Sequence, residues 1–539
     1  MLVRNLPAGA CASVLLWVPS FAAAPPAEPV TVNRIADAAF NHGEVVDIAA
    51  YLADQIGGRL TNSPAMRRAE RWASDQFRSW GLKDVRADGF NFGRGWWVEF
   101  SRVRMTVPRA LELRGIPIAW TPATNGALNA SVIVAPMITD KDFAEWKGKL
   151  KGKMVLVTWP GPAKDDVEIP FQRLNDADLV KLDKYQQPTF DPEAQKKRID
   201  QFRFRTKLDG FLAEEGAVAW IQMSRTDGGV VHGEGYGYQV GKTPQLPGLE
   251  IAAEDYRRLA RLAKIGDVQL EIDSRVHFED ADHNAYNILA DLPGSDPAAG
   301  YVMAGAHLDS WIAADGAADN GAGSAVVMEA ARILASIGAH PRRTIRFVLW
   351  AGEEQGLLGS NAYVEKYLAR RPPNTDPAFA DLPPYFSLDN YPVQTLSGFS
   401  QLDAYFNIDN GSGKIRGIYT EGNFAVVPLF REWLAPFASL GAAAVVAEPT
   451  GATDHVFLSR LGLPAFQFIQ DPLDYETRVH HSDLDTFDHL RPEDLRQAAV
   501  VLASVLMDAA NIEKPLPRKV LPTQPEVTDP FHYPDPSKK

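Results

Sequence analysis

The chain has 539 residues, 45% hydrophobic and 23% charged, with a formal net charge of −13. That length exceeds one simple domain and suggests two or three units. The acidic balance offers no basic stripe for nucleic acid, and a single cysteine excludes both a disulfide framework and a thiolate metal site.

The first residues read as a leader. Arg4 supplies a positive start, Ala10 to Phe21 an apolar run, and Ala22-Ala23-Ala24 a small-residue cleavage site, the pattern of a secretory signal peptide over 1–24. Cys11 lies inside it. The expectation is export to the periplasm or medium, with no membrane span in the mature chain. Residues 25–125 then read as the first part of a catalytic unit. Helices are expected over 44–55 and 64–80, joined by Gly58-Arg59-Leu60-Thr61-Asn62-Ser63 and stopped at Gly81. Trp96-Trp97 reads as buried packing.

Residues 126–275 change texture. Short β-like runs at 131–135, 154–158, 217–222 and 268–272 flank a charged stretch, 164–207, and the region reads as an inserted β-rich domain without a His/Asp/Glu constellation. His232-Gly233-Glu234-Gly235-Tyr236-Gly237 has the glycines of a phosphate loop but not its strand-then-helix context, so it reads as a flexible loop.

Residues 276–515 alternate strands and helices. A strand over 286–292 precedes a second, 301–306, that runs straight into His307-Leu308-Asp309. A Gly-rich turn carries Asp319-Asn320-Gly321, a helix is expected over 322–337, and a strand over 344–350 delivers Glu353-Glu354. A strand over 404–408 delivers Asp409, a helix is expected over 424–440, a strand over 465–469 leads to His480-His481, and a closing helix covers 493–510. The Pro-rich tail, 516–539, reads as extended chain. Continuous apolar strands are buried on both faces, and the carboxyl edge of such a sheet is where ligands bind. Acids and imidazoles crowded there need a cation between them. His307, Asp319, Glu354, Asp409 and His481 form two half-sites, each with one imidazole and one carboxylate, plus a carboxylate to share. That donor set suits two Zn²⁺ about 3.5–4 Å apart.

The ordered pieces His-x-Asp, Asp-Asn-Gly-x-Gly-Ser, Glu-Glu-x-Gly-Leu-x-Gly-Ser, a later Asp and His-Ser-x-x-Asp-Thr resemble the dizinc exopeptidase family of leucyl aminopeptidases and glutamate carboxypeptidases. His307 to Trp311 and Val348 to Trp350 resemble its plasma glutamate carboxypeptidase branch. The insert is similar to a protease-associated domain through Leu150 to Val155 and Gly216 to Val218. The resemblance implies an α/β fold, a mostly parallel mixed sheet with helices on both faces. It also implies that His307 and Asp409 hold one zinc, that Glu354 and His481 hold the other, and that Asp319 bridges them. Asp309 would hydrogen-bond the far nitrogen of His307, and Glu353 would activate a metal-bridged water as general base. A strained or cis peptide at Asp319–Asn320 is implied too. Spacing to Asp485-Thr486 favours His481 over His480. Peptide or dipeptide is the implied substrate, with aminopeptidase preferred to carboxypeptidase or dipeptidase, and a peptidase-like binding ectodomain without catalysis as the competing reading. Away from this set, His232, His340 and His532 read as surface groups, His455 as structural, and Lys414, Arg416 and Arg478 as solvated charges.

Overall fold

A computed structural model describes residues 29–523 apart from 164–169, 184–191, 236–237, 374–378, 380–381 and 389. The leader, most of the tail and His532 lie outside the described residues. No described helix is long and apolar enough to cross a membrane.

The first sheet has eight strands: β1 (Lys83–Asn91), β2 (Asn284–Leu292), β3 (Tyr301–His307), β4 (Thr344–Trp350), β5 (Leu402–Asn407), β6 (Ile415–Tyr419), β7 (Ala444–Val446) and β8 (Ala465–Gln470). Their spatial order is β1-β2-β4-β3-β5-β8-β6-β7. The four central strands, β4, β3, β5 and β8, are mutually parallel, while β1 and β2 run antiparallel at one side and β6 pairs antiparallel with β8 at the other. Parallel strands put all four carboxyl ends on one edge. The chain steps from β3 to β4 in one direction and later to β5 in the other, so the loops after β3 and β5 diverge and leave a crevice.

The long helices are α1 (Pro64–Ser79), α2 (Pro192–Glu214), α3 (Ala322–Ser336) and α4 (Pro492–Asn511). Ser63 caps α1 by accepting the Met66 N–H at 3.1 Å, with Pro64 in the first turn where no N–H is needed. Helix α3 is buried all round from Ala322 to Leu334, packed against β3 and α4. Its alanines (Ala322, Ala325, Ala330, Ala331) permit that close approach, while Val326, Val327, Met328, Ile333 and Leu334 each contribute about 1.5–3 kcal/mol by leaving water. Its one buried charge pair is satisfied: Arg332 donates to Glu329 at 2.7 Å and to the His42 carbonyl at 2.9 Å. The helix expected over 424–440 is three pieces, Phe424–Val426, Val427–Leu434 and Ala435–Leu440. Pro428 and Pro436 remove the N–H groups that would carry one ladder through.

The second sheet also has eight strands, in the spatial order 111–113, 95–107, 269–279, 128–134, 154–156, 219–223, 248–251, 115–117. Residues 95–117, grouped with the first unit in the sequence reading, are therefore strands of the inserted unit, because Gly95–Val107 pairs along its length with Gln269–Glu279. Trp96 is buried as expected, and Trp97 stacks on His277 with ring centroids 4.3 Å apart. Helix α2 lies on this unit through stacked pairs of Phe143 with Phe204 and Phe211.

Candidate metal centre

Each acid or imidazole is delivered by a strand end. His307 is the last residue of β3, opposite Trp350 of β4. Glu353 and Glu354 follow β4, Asp409 follows β5, and His481 follows β8 after a short turn of π-helix over Tyr475–Val479. Asp319 comes from the turn before α3. Asn320 anchors that turn, donating to the Ile408 carbonyl at 2.9 Å and accepting the Gly323 N–H at 3.0 Å. A Cβ at Gly323 would collide with the Asn320 amide, so the approach needs glycine. The Asp319–Asn320 peptide is cis.

These residues meet. His307 Nε2 lies 3.2 Å from Asp319 Oδ1 and 3.2 Å from Asp409 Oδ1. His481 Nε2 lies 3.1 Å from Asp319 Oδ2 and 3.1 Å from Glu354 Oε2. Asp319 thus stands between two imidazoles, one per oxygen. His480 lies beside it, its Nε2 3.7 Å from Asp319 Oδ2 and its ring centroid 3.7 Å from that of His481, so Asp319, His480 and His481 form one group of potential ligands, with His481 the nearer to Asp319. His481 occupies left-handed backbone (φ 59°), and its ring lies close against that of His480.

The tautomers decide what the cluster wants. His307 Nδ1 faces the Asp309 carbonyl at 2.9 Å, and His481 Nδ1 faces Glu234 Oε1 at 2.7 Å. Both acceptors require the proton on Nδ1, so in the neutral ring the Nε2 lone pair points at two carboxylate oxygens. Lone pairs facing carboxylates repel unless a cation lies among them. Without a metal the rings must be protonated. Burial pulls both histidines down, but Asp409 and Glu353 hold His307 well above its ordinary value, and Glu354 and Asp319 do the same for His481. Asp319, which burial pushes up, is held well below the carboxylate range by the two imidazoles. Burial raises Glu354 to about 7 and pushes Glu353 well up, with His481 and His307 respectively opposing. Asp319 Oδ2 and Glu354 Oε1 are buried without a hydrogen-bond donor among the described residues. A tetrahedral ion with bonds of about 2.0 Å spaces its ligand atoms roughly 3.3 Å apart, close to the 3.1–3.2 Å separations here. The donor set fits zinc.

Asp309 is placed differently from the expectation. Its carbonyl, not its carboxylate, meets His307 Nδ1; the carboxylate Oδ1 is 3.8 Å away. The carboxylate instead accepts Thr61 Oγ1–H at 2.9 Å and the N–H groups of Glu353 and Glu354, each at 3.3 Å. It is turned towards that ridge of donors and fixes the two glutamates rather than the imidazole.

Several functional contacts were not read from the sequence. Glu234 sits in the insert's Gly-rich loop, whose described residues 232–235 are buried: His232, expected at the surface, is 2% exposed and pairs with Glu250 at 2.9 Å. A Cβ at Gly235 would lie 2.8 Å from the Ala119 carbonyl, so the glycines serve close packing. Burial would raise Glu234, but His481 and Arg225 bring it down to about 2, keeping it charged. Arg59, fully buried, donates to the carbonyls of Leu308 (2.8 Å), Asp315 (2.7 Å) and Gly316 (2.7 Å), and so ties the loops that carry Asp309 and Asp319. Asp485 accepts the Ala318 and Asp319 N–H groups at 2.6 and 3.0 Å. The glycine spacing around Glu234 was the one signal that pointed to a close-packed loop. Away from the cluster, Arg416 is a buried partner of Asp471 at 2.9 Å rather than a solvated charge, and Arg478 pairs with Asp474 at 3.0 Å. His455 is buried 3.3 Å from Glu421, in keeping with a structural role, and His340 is exposed.

The parallel strand ends of a mixed α/β sheet thus gather imidazoles and carboxylates into one cluster able to hold metal ions. Residues 287–506, about two fifths of the chain, match the model of Peptidase family M28. Carboxypeptidase Q of Bos taurus is 30% identical over 284 residues, 52% of this chain and 53% of that protein; the chain thus aligns with about half of that relative's length. The crystal structure of a Peptidase M28 precursor from Shewanella amazonensis SB2B superposes with a TM-score of 0.64 at 25% identity, covering 92% of this chain and 98% of the other. The fold is also that of a zinc aminopeptidase from Bacillus subtilis (TM-score 0.54, 19% identity, 87% of this chain and 95% of that one).

Proposed function

We propose that this protein is an exported, zinc-dependent exopeptidase with a two-ion centre. His307 and Asp409 hold one ion, Glu354 and His481 the other, and Asp319 is shared. The observation that carries this reading is the Asp319 carboxylate, with one oxygen 3.2 Å from His307 Nε2 and the other 3.1 Å from His481 Nε2. Bound zinc would polarise a peptide carbonyl and acidify water near neutral pH. The chain's residues supply the rest. Glu353 lines the cleft beside the cluster, takes the proton of the attacking water and returns it to the leaving amine. Asp309 holds the Glu353 and Glu354 backbone in place. The inserted unit, similar to a protease-associated domain, closes the cleft from above.

The test is Glu353→Gln. Zinc content by elemental analysis stays at two ions per chain, and peptide hydrolysis falls by about 10²–10⁴. Undiminished hydrolysis in that variant sinks the mechanism; absence of bound zinc in the wild type sinks the whole reading.

A further inference from the structure

The metal cluster opens into a cleft of about 1040 Å³, at the upper end for a small-molecule site. Its floor is catalytic-unit residues, among them Glu353, Asp409 and Glu476. Its roof is one face of α2: Arg198, Gln201, Phe202 and Arg205. Spacings of three, four and seven residues put these four on a common helical face. Phe204 and Phe211 hold other faces of α2 to the insert through Phe143. Phe202 reaches the catalytic unit, its ring 6.1 Å from that of Phe386, which also lines the cleft. The helix is therefore anchored on both units.

Arg198 and Arg205 are the only Lys or Arg side chains among the described residues lining the cleft. Both are exposed on the helix, and no ion pair joins Arg198 to a described residue. A guanidinium lining the same cleft as the acid and imidazole cluster is suited to a carboxylate, which it can grip in a bidentate fork. Resting on the exopeptidase reading above, we propose that Arg198, flanked by Arg205, binds the free C-terminal carboxylate of short peptide substrates. The insert, not the catalytic unit, then selects substrates with an unblocked carboxyl end. This favours carboxypeptidase or dipeptidase action over aminopeptidase action on long chains.

The test uses the full-length zinc-loaded protein and a panel of dipeptides, each as the free acid and as the C-terminal amide. The wild type is expected to favour the acid in kcat/KM by about ten- to a hundredfold, the worth of a charged hydrogen bond. Arg198→Ala is expected to raise KM for the acids and bring the acid-to-amide ratio towards one, and Arg198→Lys to restore part of it. A purely structural role would shift acid and amide together. Equal cleavage of acids and amides by the wild type, or an unchanged ratio in Arg198→Ala, overturns the proposal. If no dipeptide is hydrolysed with zinc present, the exopeptidase reading fails. Calorimetric binding of the same acid and amide pairs then decides the anchor on its own, equal affinities refuting it.

Discussion

Glu234 accepts a hydrogen bond from Nδ1 of His481 at 2.7 Å, although 247 residues separate them and they belong to different units. The insert therefore sets the tautomer and ring direction of a residue in the metal cluster. Outer partners of this kind are worth about 10–100-fold in metal affinity. Glu234→Ala should weaken zinc by that factor in a competition titration with a chromogenic chelator, with a matching fall in the melting temperature of the zinc-loaded protein. Equal affinity in wild type and variant would show the contact to be incidental.

If the cluster holds zinc as proposed, removing the metal should cost stability. Asp319, Glu353, Glu354 and Asp409 crowd two imidazoles, and a ligand bound only by the folded state stabilises it by about 2.7 kcal/mol at a hundred times its Kd. Dialysis against a chelator should lower the melting temperature, and added zinc should restore it while magnesium does not. A melting curve indifferent to zinc contradicts the two-ion centre.

Arg59 is a structural cation with no access to water. Burial pulls it down to about 10, while Asp485 and Asp309 oppose that, so it stays charged at neutral pH. Arg59→Met leaves several loop carbonyls without donors, and a loss of about 3–5 kcal/mol is expected in denaturant unfolding. Zinc binding should weaken with it, since the loops carrying Asp309 and Asp319 lose their tie. A change below 1 kcal/mol would place the network outside the stability of the fold.

Glu70 gives a pH dependence far from the metal cluster. Burial raises it from 4.5 to about 7, against the opposing pull of Arg67. The folded value lies above the unfolded one, so the folded state holds the proton more tightly. Its contribution is fully present below pH 4.5, fades as pH rises and is lost above about 7. Between pH 5 and 8 this costs the wild type about 2–3 kcal/mol. Glu70→Gln should flatten the stability profile by that amount, and parallel profiles would refute the assignment.

Much of the candidate site was legible because its signals are local. A continuous apolar strand followed at once by an acid or imidazole places His307, Glu354 and Asp409 at one sheet edge, and the Gly-rich turn places Asp319. What stayed hidden depends on contacts between distant segments. No periodicity announces that Glu234 will meet His481, that Thr61 will engage Asp309, or that α2 will roof the cleft. The boundary at 126 failed for a related reason. Residues 95–117 carry ordinary strand patterns, and only their partner, 269–279, reveals which sheet they join. The Asp309 carboxylate was aimed wrongly because residue type gives capacity for a bond, not direction.

The route by which the chain enters and leaves the insert has a mechanical consequence. Residues 83–91 and 284–292 pair antiparallel in the first sheet, and 95–107 and 269–279 pair antiparallel in the second, so one double-stranded ribbon passes between the two units with short breaks at 92–94 and 280–283. Bending at those breaks would rock the insert as a lever. The same rocking would pull Glu234 from His481 and lift Arg198 off the cleft, making grip on the ion and grip on the substrate rise and fall together.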